Sequence, residues 1–192
     1  MKTIAGIAVI AAAATLGDFI WYTVGVRHTM TAGILHGALL LATVGAALGA
    51  ANGRLVKGLP IGAVAGIGGA LSYYALILVM DSRTYGTAIP GAWVIMWLLL
   101  AALEGRWLRA PDRRGWMEIA VRGVVAAVAG GLAFVLVRNI LWGRPPGEGR
   151  NYVVQFAAWA FAWAPGLLAL TWGNASLRAS GTSGPHQKQQ HQ

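Results

Sequence analysis

Residues 29–80 read TMTAGILHGALLLATVGAALGAANGRLVKGLPIGAVAGIGGALSYYALILVM. This stretch contains two apolar runs, residues 29–51 and 58–80, separated by a short polar segment that carries Arg54 and Lys57. The apolar core of a bilayer takes about 20 residues of helix, so each run predicts one membrane-spanning helix. Glycine recurs at four-residue spacing in both runs, which predicts two helices packed closely through small residues.

Four further apolar runs lie outside this stretch, at residues 3–26, 87–103, 116–140 and 152–173. Hydrophobic residues make up 57% of the chain and charged residues 11%, whereas about a quarter of an ordinary soluble domain is charged. We therefore predict an all-α polytopic membrane protein, with a bundle of six transmembrane helices in residues 1–178. Residues 179–192 are polar and predict a disordered tail.

The first apolar run is expected to be a retained helix rather than a cleaved signal peptide. It is longer than the apolar region of a signal peptide, and it carries Asp18 and Trp21.

Positive charge is concentrated between the apolar runs. The chain has 15 Lys and Arg against 6 Asp and Glu, and such flanking cations are typical of topology signals rather than of a nucleic-acid surface. Ten of the 15 fall on the side that holds both termini and the predicted loops at 52–57 and 104–114. The positive-inside rule then predicts both termini in the cytoplasm. Glu118 and Arg122, four residues apart at the start of the fifth run, are predicted to pair.

Small residues form stripes on three of the predicted helices. In lipid, such stripes allow the close backbone approach through which helices associate. The spacing leaves open whether the stripes meet within one chain or in a homo-oligomer. The stripe positions are Gly33, Gly37, Gly45, Gly49, Gly58, Gly62, Gly66, Ala70, Gly123, Ala127 and Gly131.

Ionisable and hydroxyl groups lie at one depth in the first three helices. Asp18 lies eight residues before position 26, and His36 lies seven residues after position 29. The first helix ends and the second begins on the same side of the membrane. At 1.5 Å per residue, both side chains lie about 10 to 12 Å below that boundary. Tyr73 and Tyr74 fall in the same layer of the third helix. Three interpretations remain open. The groups form a site for a ligand head group, they form a proton or ion pathway, or Asp18 and His36 form a buried pair that holds the first two helices together.

A proline and several large rings predict where a cavity forms. Pro165 lies within the sixth run and is expected to kink that helix, and Trp159 lies near it. We expect a cavity between the first three helices and the sixth. Its predicted ligand-binding residues are Asp18, Trp21, His36, Tyr73, Tyr74, Trp159 and Pro165.

Sequence patterns of known catalytic and cofactor sites are missing. The chain has no cysteine, and it shows no nucleophile elbow, phosphate-binding loop, zinc helix motif or paired haem histidines. We therefore expect a protein without enzymatic activity, cofactor, metal or nucleic-acid partner.

Two segments resemble the Insig family of membrane sterol-responsive regulators. Asp112-Arg113-Arg114-Gly115, followed by a glycine- and alanine-rich helix, resembles the charged loop of that family. Gly173-Asn174-Ala175-Ser176-Leu177-Arg178 is similar to the end of the family's last helix. The resemblance implies a non-catalytic six-helix bundle that encloses a lipid or sterol pocket. It also implies partner binding at Asp112, and the cysteine-free composition suits a prokaryotic relative in the bacterial inner membrane.

The sequence thus predicts a membrane protein that binds a lipid or sterol-like hydrophobic ligand in an intramembrane cavity, and it leaves the choice between a monomer and a homo-oligomer open. The alternative is a small proton-coupled transporter or channel that uses Asp18 and His36.

Overall fold

The computed structural model describes residues 2–23, 25, 29–80, 87–109, 115–142 and 151–172. These residues form six helices that are long and apolar enough to cross a membrane. For the fourth helix this length includes the extension described below. The predicted all-α, six-span fold is confirmed, and the chain is an integral membrane protein. The helices are α1 Lys2–Thr23, α2 Met30–Ala51, α3 Leu55–Val79, α4 Ala88–Leu103, α5 Trp116–Trp142 and α6 Tyr152–Thr171. The predicted tail at 179–192 and the predicted partner residue Asp112 lie outside the described residues.

The fourth helix is longer than its apolar run predicts. A π-helical segment, Glu104–Leu108, continues α4, so the prediction of a loop that begins at residue 104 is wrong. The Glu104 side chain is fully buried and accepts a hydrogen bond from Nδ2 of Asn52 at 3.3 Å. Arg54 donates to the carbonyl oxygen of Leu108 at 3.3 Å. Polar groups of the α2–α3 turn thus provide hydrogen-bond partners for the end of this helix. The Glu104 carboxylate can therefore be buried inside the bundle.

The helices form a closed ring. Each helix packs against its neighbours in the chain, and α1 also packs against α6. Consecutive helices run antiparallel, so α1, α3 and α5 begin at one end and α2, α4 and α6 end there. We call the half of the bundle at that end the proximal half and the other half the distal half.

The glycine stripes of α2 and α3 face each other within the chain. A Cβ atom on Gly58 would overlap the carbonyl oxygen of Gly45, and one on Gly62 would overlap that of Leu41. The same holds for Gly66 against the carbonyl oxygen of Gly37. The two backbones therefore touch directly, and α2 with α3 is the most extensively packed pair of helices.

The middle of the bundle is filled by large side chains. Trp97 and Trp163 are fully buried, and they pack in one cluster with leucines of α2, α4 and α6. The ring of Trp97 fits between the helices because Gly130 and Gly166 leave space for it, and a Cβ on either glycine would collide with the indole. Outward-facing side chains, such as the 85% exposed Leu78, are apolar and suit contact with lipid.

Arg122 joins α5 to the end of α6. The predicted ion pair with Glu118 is present, with Nε to Oε1 at 2.9 Å. The guanidinium also donates to the carbonyl oxygens of Ala169 and Leu170, both at 3.4 Å, and to that of Trp172. Carbonyl groups in the last turn of a helix have no partner inside the helix, so Arg122 caps α6.

The capping role predicts unequal effects for the two partners of this ion pair. We expect Arg122→Leu to lower the free energy of unfolding by about 1 to 3 kcal/mol, because buried carbonyl groups lose their donor. Glu118→Gln is expected to cost less than about 0.5 kcal/mol, as for an exposed helical pair. Unfolding in mixed micelles titrated with dodecyl sulfate measures both. Equal losses in the two variants would show that the ion pair matters and the cap does not.

Candidate functional site

A cavity of about 370 Å³ occupies the centre of the distal half. All six helices contribute to its wall, so it lies inside the ring rather than between two neighbouring helices. The large or polar side chains of its lining are Asp18, Trp21, His36, Leu40, Leu41, Tyr73, Tyr74, Ile89, Trp93, Met96, Phe134 and Trp159.

The cavity exists because small residues of α2 and α3 face the centre at this level. Gly33, Gly37, Gly66, Gly69 and Ala70 form much of the wall on that side. At these five positions no side chain is larger than a methyl group, so the space beside them stays open. Across from them, rings from α4, α5 and α6 complete the wall, and the lining is predominantly apolar.

The structure brings together six of the seven residues predicted to bind a ligand. Asp18, Trp21, His36, Tyr73, Tyr74 and Trp159 all line the cavity. Pro165 does not, although it lies within α6 as expected. Its position two turns beyond Trp159 places it in the proximal half. Pro165 therefore does not form the cavity. The small residues of α2 and α3 make room for it, and α4 and α5 also contribute to its wall.

Asp18 connects α1 to α6. Its Oδ2 atom accepts hydrogen bonds from Nε2 of Gln155 and from the indole Nε1 of Trp159, both at 2.6 Å. Gln155 is 5% exposed, so this network lies inside the bundle. Gln155 and Trp159 are four residues apart and therefore share one face of α6, which explains how both donors reach one carboxylate oxygen.

His36 packs against the same segment of α1. A Cβ on Gly17 would come within 3.3 Å of the imidazole Nδ1, so the ring lies directly on the backbone beside Asp18. The ring also makes an edge contact with Trp21, with centroids 5.5 Å apart. Gly17 and Trp21 thus form the surface against which the imidazole is oriented.

The two tyrosines of α3 hold different positions. The Tyr74 hydroxyl packs over Gly33 and donates to the carbonyl oxygen of Thr29 at 3.2 Å. Tyr73 makes an edge contact with Tyr74, with centroids 5.2 Å apart. The pair therefore joins the start of α2 to α3 and gives this part of the wall phenolic groups.

An aromatic layer separates the cavity from the core in the middle of the bundle. Trp93 stacks on Phe134 with centroids 4.3 Å apart, and its ring lies 4.6 Å from that of Trp163. The indole nitrogens of Trp93, Trp97 and Trp163 are buried without a hydrogen-bond partner. Ring packing rather than hydrogen bonding therefore holds this layer together.

Sequence reasoning missed Gln155, Trp93 and Phe134. A polar amide inside an apolar run, one turn before Trp159, was a signal for Gln155. Trp93 and Phe134 gave no comparable signal, because their helices carry other large apolar residues that face lipid. Within the described ranges, no group of three or more His, Cys, Asp or Glu side chains is arranged to hold a metal ion.

No family model, curated protein or solved structure matches the chain.

Proposed function

We propose that this protein binds a lipid or sterol-like hydrophobic ligand in the distal cavity and acts by binding rather than by catalysis. The observation that carries the proposal is the cavity itself, which is lined by residues of all six membrane-spanning helices. Its volume of about 370 Å³ falls in the range of about 300 to 1,000 Å³ typical of small-molecule sites. An apolar wall inside the bilayer selects a hydrophobic ligand.

The polar groups of the lining give the site a polar end. These groups are the carboxylate of Asp18, the imidazole of His36 and the phenols of Tyr73 and Tyr74, and they come from α1, α2 and α3. A ligand head group can bind to them. The opposite wall is aromatic and aliphatic and suits a hydrocarbon body. The resemblance of the 112–115 and 173–178 segments to the Insig family supports the same proposal. It extends the proposal to a bacterial inner-membrane protein with cytoplasmic termini and a partner surface at Asp112.

Solvent extraction of the purified protein, followed by mass spectrometry of the extract, tests the proposal. We expect one hydrophobic compound at close to one equivalent per chain, enriched over the lipids of the host membrane. An extract that merely mirrors the bulk lipids would contradict it.

A proton-coupled transporter is the second candidate, because Asp18 and His36 line one cavity. Reconstitution into vesicles with a pH-sensitive dye in the lumen separates the two functions. A proton flux that disappears in Asp18→Asn would favour transport. Vesicles without flux, prepared from protein that retains its ligand, would favour binding.

A further inference from the structure

Aromatic rings are concentrated in the lining of the cavity. Six of its 18 described lining residues are Phe, Trp or Tyr, whereas these residues make up 9% of the chain. The face of such a ring carries partial negative charge and attracts a cation that lies within about 6 Å of the ring centroid. An aliphatic wall would bind a hydrocarbon without attracting a cation, so the rings add a preference for positive charge. The six are Trp21, Tyr73, Tyr74, Trp93, Phe134 and Trp159.

The same lining contains a carboxylate and no permanent positive charge. Asp18 is the one Asp or Glu among the described lining residues, and neither Lys nor Arg is among them. His36 is the one side chain of this set that can become a cation, and a free imidazole is largely neutral at pH 8. The formal charge of this lining is therefore negative at that pH.

Asp18 and its partners on α6 concentrate hydrogen-bond acceptors at this wall. The donors from Gln155 and Trp159 are neutral, so they orient the carboxylate without cancelling its formal charge. The Oε1 atom of Gln155 is buried without a hydrogen-bond partner, although Nε2 of the same amide lies 2.6 Å from the carboxylate. A buried acceptor beside a carboxylate is costly, and a nearby positive charge reduces that cost.

Several of the rings lie close to this carboxylate. The indole of Trp159 donates to it directly, and Trp21 follows Asp18 by three residues on the same face of α1. The ring centroid of Phe134 lies 6.2 Å from that of Trp159, which extends the aromatic wall to α5. An ionised carboxylate has about four lone-pair sites, so Asp18 can keep its donors on α6 and also contact a ligand cation.

We propose that the ligand of this cavity is a hydrophobic organic cation, a quaternary ammonium or protonated amine with an apolar body, whose positive charge binds between Asp18 and the surrounding rings. This inference rests on the proposed function, because it specifies which hydrophobic ligand the cavity binds. A neutral sterol would make no use of the carboxylate, and an anionic head group would be repelled by it.

Isothermal titration calorimetry at pH 8, with the full chain in a nonionic detergent, tests the charge preference of the cavity. The probe is benzyltrimethylammonium, which combines a permanent positive charge with an apolar ring. Benzyl alcohol has the same ring without a charge, and toluenesulfonate has a negative charge instead. We expect saturable binding of the cation at least about tenfold tighter than that of either control compound.

Asp18→Asn tests the contribution of the carboxylate. The amide keeps an oxygen that can accept from Gln155 and Trp159, but it has no negative charge. We expect the affinity for benzyltrimethylammonium to fall at least about tenfold. Glu118→Gln is the matched control, because it removes a carboxylate from the proximal half, where Glu118 pairs with Arg122, and it should leave the affinity unchanged.

Trp21→Leu tests the contribution of the rings and serves as the second variant if Asp18→Asn does not fold. We expect it to weaken binding of the cation about fivefold. Trp172→Leu removes a 78% exposed ring at the proximal end of α6 and should leave binding unchanged. Equal affinities of the wild-type protein for benzyltrimethylammonium and benzyl alcohol would overturn the proposal. Wild-type affinity for the cation in both cavity variants would also overturn it.

Failure of this inference and failure of the proposed function give different results. A neutral or anionic compound, extracted from the purified protein at one equivalent per chain, would contradict the cation and leave the binding function in place. An extract without any enriched compound would contradict the proposed function, whereas the calorimetry would still report which charge the cavity prefers.

Discussion

Gly62→Val is expected to abolish assembly of the bundle. A Cβ at this position would overlap the carbonyl oxygen of Leu41 and lie 2.8 Å from the backbone nitrogen of Gly45. Backbone atoms cannot move aside as a flexible side chain can, so α2 and α3 would have to separate. The expected loss in the free energy of unfolding exceeds about 4 kcal/mol, a cost that single substitutions rarely reach.

Gly131→Ala is the matched control for this prediction. A Cβ on Gly131 meets only Cγ2 of Val94, at the ordinary contact distance of 3.8 Å. We expect stability within about 1 kcal/mol of wild type, with a small gain from the higher helix propensity of alanine. Size-exclusion chromatography and unfolding in mixed micelles measure both variants. A monodisperse Gly62→Val protein with wild-type stability would show that direct backbone packing of α2 on α3 does not hold the bundle together.

Ala70→Phe is expected to reduce ligand retention at least tenfold, which corresponds to about 1.4 kcal/mol of binding free energy. Ala70 lies in the small-residue wall of the cavity, so a phenyl ring there occupies space that the ligand requires. Leu78→Phe lies on the same helix at an 85% exposed position and should retain the ligand as wild type does. The measurement is the amount of extracted ligand per mole of folded protein. Equal retention in the two variants would place the ligand outside the cavity.

The span lengths and the shared depth of the polar groups follow directly from the sequence. Apolar run length determines which segments cross the bilayer, and the rise per residue of a helix determines that Asp18, His36 and Tyr74 lie in one layer. The glycine spacing predicted close packing, but it did not identify the partner helix. That choice depends on which stripe fits the backbone of which neighbour, as Gly62 fits against Leu41.

Contacts between distant parts of the chain were not predictable from local pattern. Gln155 meets Asp18 across 137 residues of sequence, and this pairing depends on the closure of the ring by α1 and α6. Glu104 looked like the first residue of a charged loop because it follows the apolar run. Its burial depends on the π-helical continuation of α4 and on the nearby Asn52, neither of which gives a local signal.

Native mass spectrometry of the intact protein, released from mild detergent, tests the central claim of an occupied intramembrane cavity most directly. We predict a wild-type species that carries one hydrophobic ligand, and we predict that this species is depleted in Ala70→Phe and preserved in Leu78→Phe. A wild-type spectrum that contains only the bare chain, or the same ligand-bound fraction in Ala70→Phe, would contradict the claim.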